Sequence, residues 1–584
     1  IPIKIQYSAL FCPRENAFFC PAFSLCLPKV TILSPLYVQW GFLNGSKSGR
    51  VAQKSKKMKN IQSNIIHRER CCSNTRPLPV LGRAERVNAP FLTVFLRRSF
   101  RGLTVVLCAL IVLLLHGCGD RQAQETAAAA KTADTTGPPI GCQGCHPMEL
   151  DRAHSLACPD CHKGNDQTNE RDLAHADLIP RPAHPDHLQQ SCGKCHPAEV
   201  AATTASAHFT LQKEVNRVRT VFGAQAPLGS LTEIPLHESI VSPLDLADDL
   251  LRRRCLRCHV YSSGDGYPET VRGTGCAACH LTFANGKMTS HSFVKSPPDS
   301  QCLHCHYGNF VGSDYYGRFE HDFNLEYRTP YRTDGRETRP YGVEFHQLAP
   351  DIHQQKGMAC IDCHSGAELM GKQVVGAKKE KAVTCLSCHG WRKGLPLPLS
   401  NLRVEADQLV LTTRLSAKKL IVPQPVHPAH RQYEKKAHCT VCHSQWSFND
   451  QGTHLLRTDN PEHPAWSRLF VQGSREVEEQ LDYPAPQAPS LRDKITGAPS
   501  PSLWLKGYEL RRWESPLIGV GPDGMLHIFR PILDLHLSMV DAGKKVIFDN
   551  LSVEPAHRRY LPYTPHTVGK AGAFYNERLR PNLP

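Results

Sequence analysis

Methionine is scarce in this chain of 584 residues, with seven copies, and phenylalanine, tryptophan and tyrosine together make up 7% of it. No apolar run reaches the roughly 20 residues that a helix needs to cross a bilayer of about 30 Å; the run Leu103–Leu115 has 13. With a mean hydropathy of −0.37, a polytopic membrane protein is excluded. The body of the chain also lacks excess charge. Residues 1–117 hold 17 Lys and Arg against 3 Asp and Glu, whereas residues 118–584 hold 52 against 51. The overall +15 therefore belongs to the leader, and the body offers no electrostatic case for binding nucleic acid. Cysteine and histidine, in contrast, are abundant at 25 and 31 copies, a density foreign to an ordinary cytosolic enzyme. The length allows several domains.

The chain starts at Ile1, and its first methionine is Met58. Residues 1–96 hold no sustained helical or strand period and read as an over-extended gene start or a poorly ordered leader. Residues 97–117 read as a signal peptide. Arg97, Arg98 and Arg101 precede the short apolar run, and Gly117 stands as a small residue before Cys118. The ending resembles a bacterial lipobox, in which the cysteine is lipidated, although His116 is unusual there; an ordinary signal peptide cut nearby is the alternative. Residues 118–141, rich in Ala, Thr, Gln and Asp, read as a lipid-anchored flexible tether.

The central signal is Cys-x-x-Cys-His, which occurs nine times. The cysteine pairs are Cys142/Cys145, Cys158/Cys161, Cys192/Cys195, Cys255/Cys258, Cys276/Cys279, Cys302/Cys305, Cys360/Cys363, Cys385/Cys388 and Cys439/Cys442. The histidines that follow them are His146, His162, His196, His259, His280, His306, His364, His389 and His443. Random placement of this composition yields about 0.06 copies. Every cysteine after Cys118 belongs to a motif, so none is left for a disulfide. Cysteines at i and i+3 of a helical turn point the same way, so both thiols reach the two vinyl groups of one haem. The histidine at i+4 stays on that face and reaches the iron. Zinc knuckles also use Cys-x-x-Cys, but zinc requires neither a histidine after each second cysteine nor an odd number of pairs. Nine covalent haems c are therefore expected as cofactors.

Such attachment takes place outside the cytoplasm on an unfolded chain. This favours the general secretory route, although Arg97-Arg98-Ser99-Phe100 resembles a twin-arginine export motif. One motif every 34 residues or so leaves too little chain for an apolar core around each cofactor. The expected fold class is a multihaem cytochrome c: haem-packed, mostly short α-helices and loops, with a small β-rich C-terminal module.

A six-coordinate haem needs a second axial ligand. After Cys118 there are 29 histidines, of which nine are proximal, and only six methionines. Mainly bis-histidine ligation is favoured, and the scarcity of methionine argues for low potentials. Candidate distal ligands are His154, His187, His208, His291, His321, His353, His430 and His454. The copy least well supplied with nearby histidine is Cys385–His389.

Motif spacing divides the body into an N-terminal haem lobe of six motifs over 142–310, a loop-rich insertion over 311–350, and a C-terminal lobe of three motifs over 351–466. The insertion carries Tyr315, Tyr316, Tyr327, Tyr331 and Tyr341, which either pack or line a path. Helices are expected over Leu211–Val221 and Pro243–Leu251. Residues 467–584 form a module without haem. Hairpins are expected there over Pro516–Pro531, turning at Pro522-Asp523-Gly524, and over Leu533–Leu551, turning at Asp541-Ala542-Gly543.

The chain resembles the multihaem c-type cytochrome lipoproteins of metal- and metalloid-reducing bacteria, and in particular those of selenite/tellurite-reduction operons or outer-membrane electron conduits. The likeness is carried by Cys118, the nine motifs, His353–His364 followed by Glu368-Leu-Met-Gly371, and Arg511-Arg-Trp-Glu514 through Pro565-His-Thr567. In relatives a segment like Pro565–Thr567 leads into another motif; here Gly572-Ala-Phe-Tyr-Asn follows, so a tenth haem is absent or the end is truncated. The resemblance implies an electron carrier anchored by lipid, at the outer more than the inner membrane. Its implied partners are other multihaem cytochromes or a porin-type conduit. A reductase of nitrogen or sulfur oxyanions with one open haem is the alternative, and a haem-packed spacer is a third.

Overall fold

The computed structural model describes residues 140–572 apart from 309, 322–338, 372–382, 464–471, 483–490, 514–515 and 553–559. The leader, the signal peptide, Cys118, nearly all of the tether, Tyr327, Tyr331 and the side chain of His321 lie outside the described residues. No described helix is long and apolar enough to cross a membrane.

Most helices here are single turns, because glycine, proline and the motifs themselves interrupt the chain too often for a helix to propagate. Two longer helices stand between the third and fourth motifs, α1 (Gln212–Val221) and α2 (Pro243–Arg253). The start of α2 is written in its sequence. Ser242 accepts from the Asp245 N–H at 3.2 Å, Asp245 reaches back to the Ser242 N–H at 2.9 Å, and Pro243 opens the first turn. Leu246, Ala247, Leu250 and Leu251 are buried, but so are Asp248, Asp249, Arg252 and Arg253. Each buried charge is paired, Asp248 with Arg219 at 2.7 Å, Asp249 with Arg253 at 2.6 Å and Arg252 with Asp493 at 2.6 Å. A helix buried on every face runs directly into the Cys255 motif and fixes where it starts.

The sheets are small. Strands β1 (Leu281–Ala284) and β2 (Lys287–Phe293) form a hairpin after the fifth motif, β3 (Arg318–His321) pairs antiparallel with β4 (Glu344–Gln347), and β5 (Leu402–Glu405), β6 (Gln408–Thr412) and β7 (Lys419–Ile421) form a meander. The largest sheet contains β8 (Asn449–Thr458) and β9 (Leu503–Arg512). It is completed by β12 (Leu535–Val540) and β13 (Val546–Ser552), in the order β13-β12-β8-β9. A fifth sheet orders β10 (Ile518–Val520), β11 (Leu526–Pro531) and β14 (Tyr560–Pro562).

The two expected hairpins are present as β10–β11 and β12–β13. The boundary expected at 466/467 is not where the sheet divides. β8 lies before it, yet pairs parallel with β12 and antiparallel with β9. Leu455, Leu503, Trp504, Leu505 and Leu537 of this sheet share one buried cluster with Phe222, Leu246 and Leu250 of the region preceding the fourth motif. A four-stranded sheet needs an apolar cover on its inner face, and the long α2 supplies it. The carboxy-terminal strands are thus fastened to the segment that precedes the fourth motif.

Of the insertion tyrosines described, Tyr315 donates to the Met358 carbonyl at 2.8 Å, Tyr316 donates to Asp299 at 2.6 Å, and Tyr341 stacks on Tyr307 at 5.2 Å. They are held as packing residues.

Candidate metal centres

The motifs sit on short helical turns such as Cys158–His162, Cys360–Cys363, Cys385–His389 and Cys439–His443. Side chains between or beside the cysteines tighten several of these turns. Asp160 accepts from the Ala157 N–H at 3.1 Å, Asp362 accepts from the Ala359 N–H at 2.8 Å, and Thr384 accepts from the Ser387 N–H at 3.2 Å. A capped turn brings cysteines three apart onto one face. All 18 motif cysteines are free thiols.

The motif cysteines are not enclosed to the same degree by the polypeptide. Cys145, Cys195 and Cys442, the second cysteines of the first, third and ninth motifs, are exposed, as are Cys255 and Cys279. Their first cysteines Cys142, Cys192 and Cys439 are half-buried. The cause is local: a single helical turn turns only part of its circumference toward the body, and the Cys142–Cys145 turn buries none of its residues. Cys145, Cys195 and Cys442 thus lie at the surface of the polypeptide. Their candidacy as haem attachment points rests on spacing and reach, since a thioether bond needs access to a vinyl group and not enclosure of the sulfur.

The histidines are arranged in opposed pairs. His146 faces His175 with ring centroids 6.2 Å apart, His162 faces His291 at 6.1 Å, and His196 faces His154 at 6.3 Å. His306 faces His208 at 6.1 Å, His364 faces His566 at 6.4 Å, His389 faces His353 at 6.0 Å, and His443 faces His430 at 6.1 Å. Two imidazoles bound through Nε2 to opposite sides of one metal, with bonds of about 2 Å, hold their centroids about 6 Å apart. Direct ring stacking would bring them closer, as in His438 and His527 at 5.0 Å.

The other ring nitrogen is often anchored. Nδ1 of His162 meets the Ile179 carbonyl at 3.0 Å, His280 the Val294 carbonyl at 2.7 Å, His389 the Pro423 carbonyl at 2.8 Å, and His443 the Gly569 carbonyl at 3.0 Å. On the facing side, Nδ1 of His154 meets Asp151 at 2.9 Å and that of His353 meets Asp351 at 2.8 Å. A carbonyl or carboxylate on Nδ1 fixes the tautomer that leaves the Nε2 lone pair for a metal, which is the usual support for a ligating histidine.

Burial favours neutral rings. Desolvation lowers His306 to about 4, and it also lowers His389, His291 and His566. A neutral imidazole is the ligating form.

Thiols of different motifs touch. Cys142 contacts Cys158, Cys192 contacts Cys276, Cys258 contacts Cys305, Cys302 contacts Cys360, and Cys385 contacts Cys439. Cys161 neighbours Cys192, Cys279 neighbours Cys302, and Cys363 neighbours Cys388. Every motif thus has a thiol near a thiol of another motif, the fourth lying beside the sixth. Among the described residues no group of three or more His, Cys, Asp and Glu side chains clusters as a metal cage.

Five of the distal candidates therefore stand opposite a motif histidine: His154, His208, His291, His353 and His430. His187 does not; it faces His184 at 6.1 Å, and neither belongs to a motif. His454 is bonded instead to Ser538 at 3.0 Å within the large sheet. Two facing histidines, His175 and His566, were not among the candidates. His175 carries no local signal, and His566 lies 202 residues from its partner, beyond the reach of any spacing argument. The copy expected to be poorest in histidine, Cys385–His389, has His353 opposite.

The residues fit haem c at the seven paired motifs, with two thiols and two opposed imidazoles each. At the fifth, His280 is anchored in the same way, and no histidine ring faces it among the described side chains. At the fourth, His259 is held differently: its Nε2 lies 2.9 Å from the Phe209 carbonyl, and its Nδ1 accepts the Tyr261 N–H at 3.3 Å. No family model, curated protein or solved structure matches this chain.

Proposed function

We propose that the chain is an electron carrier with haem c attached at the nine motifs, exported and held at a membrane, the outer in preference to the inner, by lipid on Cys118. The reading is supported most by the seven motif histidines that each face a second histidine at 6.0–6.4 Å. Bound haem supplies a reversible one-electron couple. The chain's own part is to hold eighteen thiols for thioether bonds, to set imidazoles on both sides of each paired site, and to fix several of their rings through Nδ1. Its thiol contacts keep each motif beside another, so the cofactor sites form a continuous series. Other multihaem cytochromes or a porin-type conduit suit such a carrier as partners, in extracellular or periplasmic respiration, including reduction of metal, selenite or tellurite.

Intact mass and spectra of protein from a maturation-competent host test this. Nine haem increments and predominantly low-spin, low-potential centres are expected; bound zinc, or a mass without haem, overturns the reading. For the anchor, Cys118→Ala is expected to release the protein in soluble form on cell fractionation.

A further inference from the structure

We propose that residues 383–443, which carry the eighth and ninth motifs, form a docking face for an acidic electron-transfer protein. The proposal rests on the haem reading above and goes beyond it, by naming where a partner docks and the chemistry of its surface.

The near-neutral body conceals a polarity. Residues 383–443 hold nine Lys and Arg against three Asp and Glu, whereas residues 141–190, around the first two motifs, hold four against eight. All nine cations of 383–443 are exposed. Two of its acids are already engaged, Glu405 with Lys419 at 2.8 Å and Asp407 with Lys393 at 2.7 Å, and Glu434 is the third. Arg403, Arg414 and Lys418 donate to backbone carbonyls. Arg431, Lys435 and Lys436 form no ion pair among the described residues. Asp523, on the turn whose His527 stacks on His438, is bonded to His527 at 2.9 Å.

The same segment brings a centre to the surface. Leu399, Leu402, Leu409 and Leu411 share a buried cluster packed by Cys388 and Trp391 of the eighth motif's region. Gln424 donates to the Cys388 carbonyl at 3.0 Å, and the Pro423 carbonyl meets Nδ1 of His389 at 2.8 Å. The chain then passes through exposed Val426 into Pro428–Tyr433, the helix that sets His430 opposite His443. His430 is exposed, as is Cys442. Arg431 follows His430 directly, and Lys435 and Lys436 stand just beyond the helix.

Transfer between proteins needs an encounter at an exposed centre, and this one has unbalanced cations beside it. Such a field speeds the approach of an acidic partner. Exposed Val426 and Tyr433 supply apolar contact within that charged surround, the usual arrangement of an interface. The acidic surroundings of the first two motifs repel the same partner, so the charge selects where it docks. One electron crosses per encounter. The partner is oxidised as the haem is reduced, or the reverse, and no bond forms or breaks.

The test uses the Cys118→Ala holoprotein, free of the anchor, with a reduced acidic plant-type ferredoxin as probe. Stopped-flow absorbance follows haem reduction once intact mass has established the haem count. At an ionic strength of about 0.01 M, where charges act over about 30 Å, Arg431→Glu/Lys435→Glu/Lys436→Glu is expected to lower the second-order rate constant at least about tenfold. At about 1 M, where that reach falls to about 3 Å, the difference should vanish. Arg152→Glu/Lys163→Glu/Arg171→Glu, an equal change of net charge around the first two motifs, should slow the reaction far less. Should the first variant fail to fold, Arg431→Gln/Lys435→Gln/Lys436→Gln gives a smaller loss in the same direction. Equal slowing by both charge reversals overturns the proposal, as does a wild-type rate indifferent to salt. It also fails if the Arg431, Lys435 and Lys436 reversal abolishes binding to equimolar phosphatidylglycerol and phosphatidylcholine vesicles while ferredoxin kinetics stay unchanged, which makes the face a membrane contact. A full haem count with unchanged rates thus overturns this proposal alone; a mass without haem overturns the underlying reading and this one with it.

Discussion

His430 and His443 face each other with ring planes 2° from parallel and centroids 6.1 Å apart. Their positions come from two short helices, Pro428–Tyr433 and Cys439–His443, and the His443 ring is fixed by the Gly569 carbonyl, 126 residues away. If haem is attached as proposed, the cysteines that hold it are separate from this pair, and ligation and attachment are separable. His430→Ala is expected to leave the intact mass at its full haem count while converting one low-spin iron to high spin, read by EPR. Loss of a haem, or an unchanged spin state, would count against the pairing.

The facing pair His364 and His566 allows a test by potential. Methionine as an axial ligand raises a haem's potential relative to histidine. His566→Met should therefore shift one midpoint upward in a spectroelectrochemical titration. The other midpoints should hold their order, apart from the seventh centre's neighbours. If all midpoints stay in place, His566 is not a ligand.

Cys-x-x-Cys-His and its count needed no structure, because the spacing is local chemistry within one helical turn. The hairpins at Pro522-Asp523-Gly524 and Asp541-Ala542-Gly543, and helices α1 and α2, were legible for the same reason, as caps and turns act within a few residues. The pairing of histidines was not legible. His208 meets His306 across 98 residues and His364 meets His566 across 202, so no period or spacing connects them. Nor does a motif state how deep its turn lies, which is why the exposure of Cys145, Cys195 and Cys442 was hidden. The place of β8 was also hidden, since in its parallel partner, β12, each paired residue lies 82 positions downstream. The special status of His259 depends on what surrounds a ring, which its motif leaves unstated.

Asp351 is a single carboxylate with several duties. It is 2% exposed, accepts from His353 Nδ1 and N–H at 2.8 Å each, and takes the Val568 N–H at 2.7 Å. Support of this kind typically changes metal affinity about 10–100-fold when removed. Asp351→Asn is expected to weaken the His353 ligand, seen as a partial high-spin component and a raised midpoint. Asp351→Ala should additionally lower the denaturation midpoint, because the Val568 N–H loses its buried acceptor. Equal spectra for wild type and both variants would show that His353 needs no such support.

The pH dependence of stability should reveal the Arg252–Asp493 pair, which joins residues 241 apart through bonds of 2.6 and 3.1 Å. Burial works to raise the Asp493 carboxyl, but the Thr496 N–H, the Arg252 guanidinium and the Ile495 N–H outweigh it and hold it below its ordinary 3.8. A carboxyl depressed on folding contributes stability that is complete above the ordinary value and lost as pH falls through the depressed one. This contribution should be flat from pH 7 to about 4 and decline below that. Breaking a buried pair from one side costs about 3–5 kcal/mol, so Asp493→Asn should destabilise the protein at neutral pH and flatten its acid decline. Urea denaturation of both proteins at pH 7, 5 and 3 reads the difference. Parallel acid slopes would place the acid-sensitive group elsewhere.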